Sequence, residues 1–135
     1  MRVKTNVESL IQGSKQIEGF ISKMFPAALS EVPFHHDTES ITRYFTSGFP
    51  LHLAVHQVSF ISFPPEQYTL PHLHGDSDEI NVILSPNKLL YKIQIGGDER
   101  IVGSNSAIWI PRGMMHSANV VEGEGYFVTL RLPAK

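Results

Sequence analysis

Short apolar runs broken by turn residues fill the sequence from Ile41 onward, and this pattern limits the possible folds more than any other feature. The longest run extends from Leu51 to Phe63 and alternates apolar with polar residues, as a half-buried strand does. Further runs cover residues 79–84, 89–95, 100–102, 107–110, 115–121 and 126–132. Clusters of glycine, proline, asparagine and serine separate most of them, including a predicted turn at residues 122–125. Many short strands joined in this way predict an all-β antiparallel sandwich or barrel.

The first 40 residues carry a different and weaker signal. Thr5 and Glu8 have the spacing of a helix capping box, and apolar residues then recur near the helical period until Pro26. We therefore expect one or two short helices and irregular chain in residues 1–40, followed by a β-barrel in residues 41–135. Because the chain has 135 residues and no evident linker, we predict a single domain.

Composition excludes several classes of protein. The net charge is −2 and no basic stripe is present, which argues against binding to nucleic acid. The chain has no cysteine, so disulfides, thiolate zinc sites and cysteine nucleophiles are excluded. No apolar run reaches the length needed to cross a bilayer, and no apolar signal core follows Met1. We expect a soluble cytoplasmic protein whose partners include neither nucleic acid nor membrane.

Three imidazoles and one carboxylate are spaced for a single metal site. They are His72, His74, Glu79 and His116. His72 and His74 are two residues apart, so a strand places both side chains on one face. Asp78 is an alternative to Glu79, but neighbouring residues of a strand point to opposite faces, and the glutamate is the preferred ligand. This mixed nitrogen and oxygen set suits one divalent transition metal, such as iron, manganese, nickel or zinc.

This pattern, His-x-His-x-x-x-x-Glu and then Pro-Arg-Gly-Met-Met-His at residues 111–116, resembles the two signature motifs of the cupin superfamily. The resemblance extends over residues 63–132 and keeps all four ligand positions. Glu66 and Pro86 replace the outer glycines of the first motif. Pro111 and Gly113 predict a turn that aims the last histidine at the other ligands.

Two asparagines stand at or near the remaining positions of the second motif. Asn105 replaces its opening glycine, and asparagine can also adopt a positive φ. Asn119 lies one residue before the position at which the motif ends with asparagine, which here is Val120. The resemblance implies a small double-stranded β-helix, or jelly-roll, barrel with the four ligands on its inner wall, and it implies a homodimer.

Several other polar residues could face the interior of such a barrel. Asn81 lies on the ligand side of its strand and could hold substrate or water, or make a structural hydrogen bond. Arg131 and Gln94 could each present a donor to an anionic substrate, as could Arg43 and Lys92. The sequence leaves open which face of each strand is the interior.

The remaining histidines have structural interpretations. His52 and His56 are four residues apart and share a strand face, but no further ligands of matching spacing accompany them. We interpret them as structural side chains. His35, His36 and Asp37 fall in a predicted loop, and we interpret them as solvated surface.

The resemblance implies a metal-dependent cupin enzyme that acts on an oxygen-rich small molecule. On the breadth of the family, an oxidoreductase of the dioxygenase type is slightly favoured over an isomerase or lyase. The alternative is a barrel that binds a small, sugar-like ligand or acts as a sensor without turnover.

Overall fold

The computed structural model describes residues 15–133, and antiparallel strands dominate this part of the chain. The strands are β1 (Phe25–Ala27), β2 (Ile41–Thr46), β3 (His52–Ile61), β4 (Ser77–Leu84), β5 (Leu89–Ile95), β6 (Asp98–Val102), β7 (Ser106–Ile110) and β8 (His116–Pro133). All of their pairings are antiparallel. The predicted all-β antiparallel class is therefore confirmed.

The predicted helical N-terminal segment is not supported. The capping box at Thr5 and Glu8 lies outside the described residues. Within residues 15–133 the helical elements are the four-residue helix α1 (Lys15–Glu18) and a 3-10 turn (Leu29–Glu31). Residues 25–27, at the end of the predicted helical stretch, form β1 and pair with β2. Their backbone groups therefore form hydrogen bonds with a neighbouring strand and not within a helix.

One long strand, β8, organises the sheet. The strand order is β1-β2-β3-β8-β4-β7, and β8 also pairs with β5, which in turn pairs with β6. The C-terminal half of β8 lies between β3 and β4, whereas its N-terminal half, from His116 to Gly123, pairs with β5. Through β8, the sheet thus brings β3, β4 and β5 around a common interior.

The prediction of a turn at residues 122–125 was wrong, because these residues are part of β8. Gly123 has φ of +106° and Gly125 has φ of +146°, a region that favours glycine. A Cβ at Gly123 would overlap the carbonyl oxygen of Lys88, and one at Gly125 would overlap that of Leu84. The two glycines therefore allow the backbone of Lys88 and Leu84 to approach β8 closely, and the strand continues through them.

An apolar core fills the interior at one end of the barrel. Its buried members include Val58, Ile83, Leu89, Tyr91 and Phe127. The rings of Tyr91 and Phe127 stack with centroids 4.4 Å apart. Polar side chains of the same inner strand faces continue beyond this core, and they form the site described below. No helix in residues 15–133 is long and apolar enough to span a membrane.

Candidate metal centre

His72 and His116 are placed side by side by a pair of backbone hydrogen bonds. The amide of His72 donates to the carbonyl of His116 at 3.0 Å, and the reverse bond measures 2.8 Å. Asn119 fixes the segment that leads into His72: its Oδ1 accepts the amides of Tyr68 and Thr69, each at 2.9 Å, and its Nδ2 donates to the Thr69 carbonyl at 3.1 Å. Asn119 is buried, so these bonds satisfy polar groups that water does not reach.

The turn before His116 has the predicted geometry. Gly113 has φ of +78° and donates its amide to the carbonyl of His74 at 2.8 Å. The amide of Arg112 donates to Oδ1 of Asp78 at 2.8 Å. Asp78 therefore holds the turn, while its neighbour Glu79 faces the histidines.

The rings of His72, His74 and His116 gather in one cluster. Their centroids are 4.6 to 5.4 Å apart, and one nitrogen from each ring lies within 4.8 Å of the others. Nδ1 of His72 contacts the Leu70 carbonyl at 2.7 Å, and Nδ1 of His116 contacts the Met114 carbonyl at 2.9 Å. Because a carbonyl oxygen only accepts, both Nδ1 atoms carry a proton, which leaves each Nε2 with a lone pair.

Glu79 lies against two of the three rings. Its Oε1 is 3.3 Å from Nε2 of His74 and 3.4 Å from Nε2 of His116. Its Oε2 accepts a hydrogen bond from Nδ2 of Asn81 at 2.9 Å, and Asn81 is itself buried. Burial opposes the charge on Glu79, but contacts with His116, His74 and Asn81 together lower the pKa of its carboxyl below the ordinary value. Glu79 is therefore a carboxylate at neutral pH.

The histidine pKa values follow from the same contacts. Burial lowers the pKa of His72, against the opposing effect of the Leu70 carbonyl. For His116, burial acts in the same direction, but the contacts with Glu79 and the Met114 carbonyl prevail and raise the pKa. In the metal-free protein, His116 is thus more inclined than His72 to hold a second proton.

His74 has a different partner from the other two rings. Its Nδ1 lies 3.0 Å from Nη1 of Arg131, and Nη2 of the same guanidinium lies 3.1 Å from Nδ1 of His52. Because arginine only donates, Nδ1 of each ring accepts and the ring proton resides on Nε2. The structure therefore places Arg131 at the edge of the histidine cluster.

The cluster fits a divalent transition metal. Nε2 of His116 is buried and makes no hydrogen bond within the described chain, which suits a metal ligand. Ligand atoms about 2.1 Å from one ion lie about 3.0 Å apart at right angles and about 4.2 Å apart when opposite. The observed separations, 3.3 and 3.4 Å at Glu79 and up to 4.8 Å among the histidines, are close to this range. Small side-chain rotations would bring the donors onto one ion.

A cavity of about 300 Å³ opens beside the cluster. Its wall contains all four predicted ligands together with Asn81 and Arg131. Gln94 does not line the cavity. Its Nε2 donates to the Gly96 carbonyl at 3.5 Å, and its Oε1 accepts from the Ser117 hydroxyl at 3.4 Å. Gln94 therefore lies apart from the other predicted substrate contacts.

Several cavity residues were not identified as site residues from the sequence. They include Phe34, His35, His52 and His56, whereas Arg43, which also lines the cavity, was among the predicted donors to an anionic substrate. His35 is half-buried, so its interpretation as solvated surface was wrong, whereas His36 and Asp37 are exposed as predicted. The ring of Phe34 stacks on that of His72, with centroids 5.5 Å apart and planes 2° from parallel. The alternation of β2 and β3 could have placed Arg43, His52 and His56 on one face, but it does not reveal that this face is the interior.

Comparison with known proteins identifies the fold. No protein-family model and no curated protein matches this sequence. The solved structure of KdgF from Halomonas sp. is 19% identical, with a TM-score of 0.55 over 78% of this chain and 92% of that chain. An RmlC-like cupin from Shewanella frigidimarina is 12% identical, with a TM-score of 0.54 over 84% and 95%. A predicted oxalate decarboxylase from Thermotoga maritima is also 12% identical, with a TM-score of 0.56 over 86% and 96%. At these identities the likeness concerns the fold, and it confirms the cupin barrel.

Proposed function

We propose that this chain, whose fold is that of a cupin, is a small metal-dependent enzyme acting on an oxygen-rich small molecule. The observation that carries the proposal is the cluster of His72, His74 and His116 beside Glu79, at the wall of a cavity large enough for a small ligand. Its volume of about 300 Å³ is at the lower end of ligand pockets, which span roughly 300–1,000 Å³. The substrate in this proposal is therefore small.

His72, His74, Glu79 and His116 would hold one ion of iron, manganese, nickel or zinc. Such an ion, when bound, supplies Lewis acidity toward a substrate oxygen and, if it is iron, reactivity with dioxygen. The carbonyls of Leu70 and Met114 fix the rings of His72 and His116 through Nδ1, and Asn81 fixes Glu79 through Oε2. These partners orient the ligands before an ion binds.

Arg131 orients the substrate in this proposal. Its guanidinium lies at the cavity wall next to His74, so it can donate to an anionic or carbonyl oxygen that approaches the cluster. The cavity wall contains two arginines and one carboxylate, a net charge of +1 with neutral histidines. This charge favours an oxygen-rich substrate that is an anion.

A lyase or isomerase reaction is the first candidate. Orientation of an anionic substrate by arginine beside a Lewis acid suits bond cleavage or proton transfer next to a carbonyl group. The dioxygenase reaction favoured from family breadth is the second candidate, and the histidine-rich ligand set, which iron accepts, supports it.

The test is turnover of a panel of small hydroxy and keto carboxylates by the metal-loaded protein, followed by NMR under air and under nitrogen. Turnover under both gases is expected for a lyase or isomerase, and turnover that needs air would assign the dioxygenase. His74→Ala should lose activity and remain folded. Full activity in that variant, or a bound ligand recovered unchanged after long incubation, would contradict the proposal; the latter would favour a binding or sensory barrel.

A further inference from the structure

Arg43 is a buried cation that the metal centre does not use. It lies on β2 with 6% of its surface exposed and lines the cavity. Its guanidinium carbon is 4.8 Å from the ring centroid of Phe45. No carboxylate within residues 15–133 lies within 4.0 Å of the guanidinium; the exposed Glu31 acts on it only from a greater distance. Burying an arginine is costly unless a partner compensates its charge. An anion bound next to Arg43 would provide that compensation.

His56 lies directly opposite Arg43 in the pairing of β2 with β3. It is buried, and its Nδ1 has no hydrogen-bond partner in the described chain. Burial, followed by the nearby charge of Arg43, lowers the pKa of His56 to about 3, so the ring is neutral at physiological pH. A neutral imidazole can carry its proton on Nδ1 and donate it to a ligand oxygen. Two adjacent, buried donors thus face the same cavity and have no acceptor within residues 15–133.

These donors lie at a different level of the barrel from the histidine cluster. In the sheet, His56 pairs with Phe127, whereas His52 pairs with Arg131 and Arg131 with Glu79. His52 and His56 are four residues apart on β3, which is about 13 Å along the strand. Both levels line one cavity, and the His56 level adjoins the apolar core at Phe127. A ligand bound at the His56 level therefore lies in the same cavity as the predicted metal ligands.

We propose that Arg43 and His56, on the β2 and β3 wall of the cavity, form a subsite that binds a carboxylate group of the substrate. The inference rests on the proposed function for the orientation of the substrate, whose other end carries the oxygens that face the metal centre. A planar carboxylate matches the forked donors of a guanidinium, and its second oxygen can accept from the imidazole. The substrate class is thus a small acid with a carboxylate at one end and hydroxyl, carbonyl or carboxylate oxygens at the other.

Isothermal titration of the full chain with succinate, before and after chelator treatment, tests the subsite without any need for turnover. We expect succinate to bind in both states and succinamide, which has a similar shape without charge, not to bind. Arg43→Gln should weaken succinate binding at least tenfold, because a charge-assisted bond is lost. Arg43→Lys should restore part of the affinity. Arg100→Gln removes the same charge at an exposed site and should leave binding unchanged.

Equal succinate affinity in the wild type and Arg43→Gln would overturn the subsite. Succinamide binding as tight as that of succinate, or tighter binding of inorganic phosphate, would overturn the carboxylate assignment even if Arg43→Gln failed to fold. Loss of succinate binding on chelation would place the carboxylate at the metal centre instead. Arg43-dependent binding in a protein that never takes up metal would support the subsite while contradicting the proposed enzyme, so the two failures are distinguishable.

Discussion

The three clustered histidines differ in the partner of their Nδ1 atoms, and this difference bears directly on metal binding. Backbone carbonyls hold the ring proton of His72 and His116 on Nδ1. This leaves Nε2 of each ring free to bind a metal. Arg131 instead donates to Nδ1 of His74, which leaves the proton on Nε2, beside Glu79. For His74 to bind through Nε2, its proton must move to Nδ1 and the contact with Arg131 must break.

Arg131→Met should therefore strengthen metal binding. The substitution removes a positive charge near the cluster and frees Nδ1 of His74 to carry the ring proton. We expect zinc affinity, measured by competition with a chelating dye, to rise about fivefold, or about 1 kcal/mol. Arg100→Met, at an exposed position, should not change it. A lower affinity in Arg131→Met would mean that the arginine supports the site.

Residue spacing made part of the site predictable. The two-residue spacing of His72 and His74 and the turn before His116 identified the cluster that the structure shows. Arg43 was only one of several possible donors and His56 was interpreted as structural, because alternation along β2 and β3 defines two faces without saying which is interior. That choice depends on pairing with β8, which is distant in sequence.

At the scale of elements, β8 determines how the site is assembled. Its first residue is His116, and Arg131 lies near its end, so both ends of one strand contribute to the cavity wall. Gly123 and Gly125, both with positive φ, lie where its pairing changes from β5 to β3 and β4. Glycines flanked by glutamates have the composition of a turn, which is why the sequence predicted one there. Close approach of Lys88 and Leu84 is a tertiary feature that local sequence does not encode.

Gly123→Ala should destabilise the protein through this strand. The new methyl group would overlap the Lys88 carbonyl, and alanine does not readily adopt a φ of +106°. We expect the free energy of unfolding in urea to fall by about 2 kcal/mol or more. Gly97→Ala is the matched control: a Cβ there meets nothing within 4 Å, so the change should stay within about 0.5 kcal/mol. Equal stability of the two variants would contradict this account of β8.

At the scale of the whole molecule, the buried His56 makes stability depend on pH. In the unfolded chain His56 takes up a proton below about pH 6.5, whereas in the folded protein its pKa is about 3. Between these values the unfolded state binds more protons, so stability falls as the pH is lowered. Above pH 6.5 this contribution is constant.

His56→Gln should reduce this acid sensitivity. For one such histidine, the loss of stability between pH 7 and pH 5 is about 2 kcal/mol. We expect the difference between urea unfolding free energies at the two pH values to shrink by about that amount in the variant. Chelator-treated protein is used so that metal release does not contribute. An unchanged difference would show that His56 is not a neutral, buried group.

The exposed apolar side chains near β1 are consistent with the predicted homodimer, which stays a prediction. Ile17, Phe20, Ile21 and Phe25 are each more than half exposed, and β1 pairs only with β2 in the described chain. A second copy could cover this surface and edge. Sedimentation at micromolar concentration should give a dimer that Phe20→Glu dissociates and Phe63→Glu, beyond the far end of β3, does not. A wild-type monomer would contradict the prediction.

The strand pattern and the motifs together predicted the overall barrel. In the proposed function, the histidine cluster of this barrel holds a metal. The most direct test is the metal content of protein purified without chelator or histidine tag, beside a His72→Ala/His116→Ala variant. We predict about one equivalent of a single divalent metal per chain, lost in the variant, because a site normally needs three or four ligands. Wild-type protein that remains without metal after titration with iron, manganese, nickel and zinc would contradict the account.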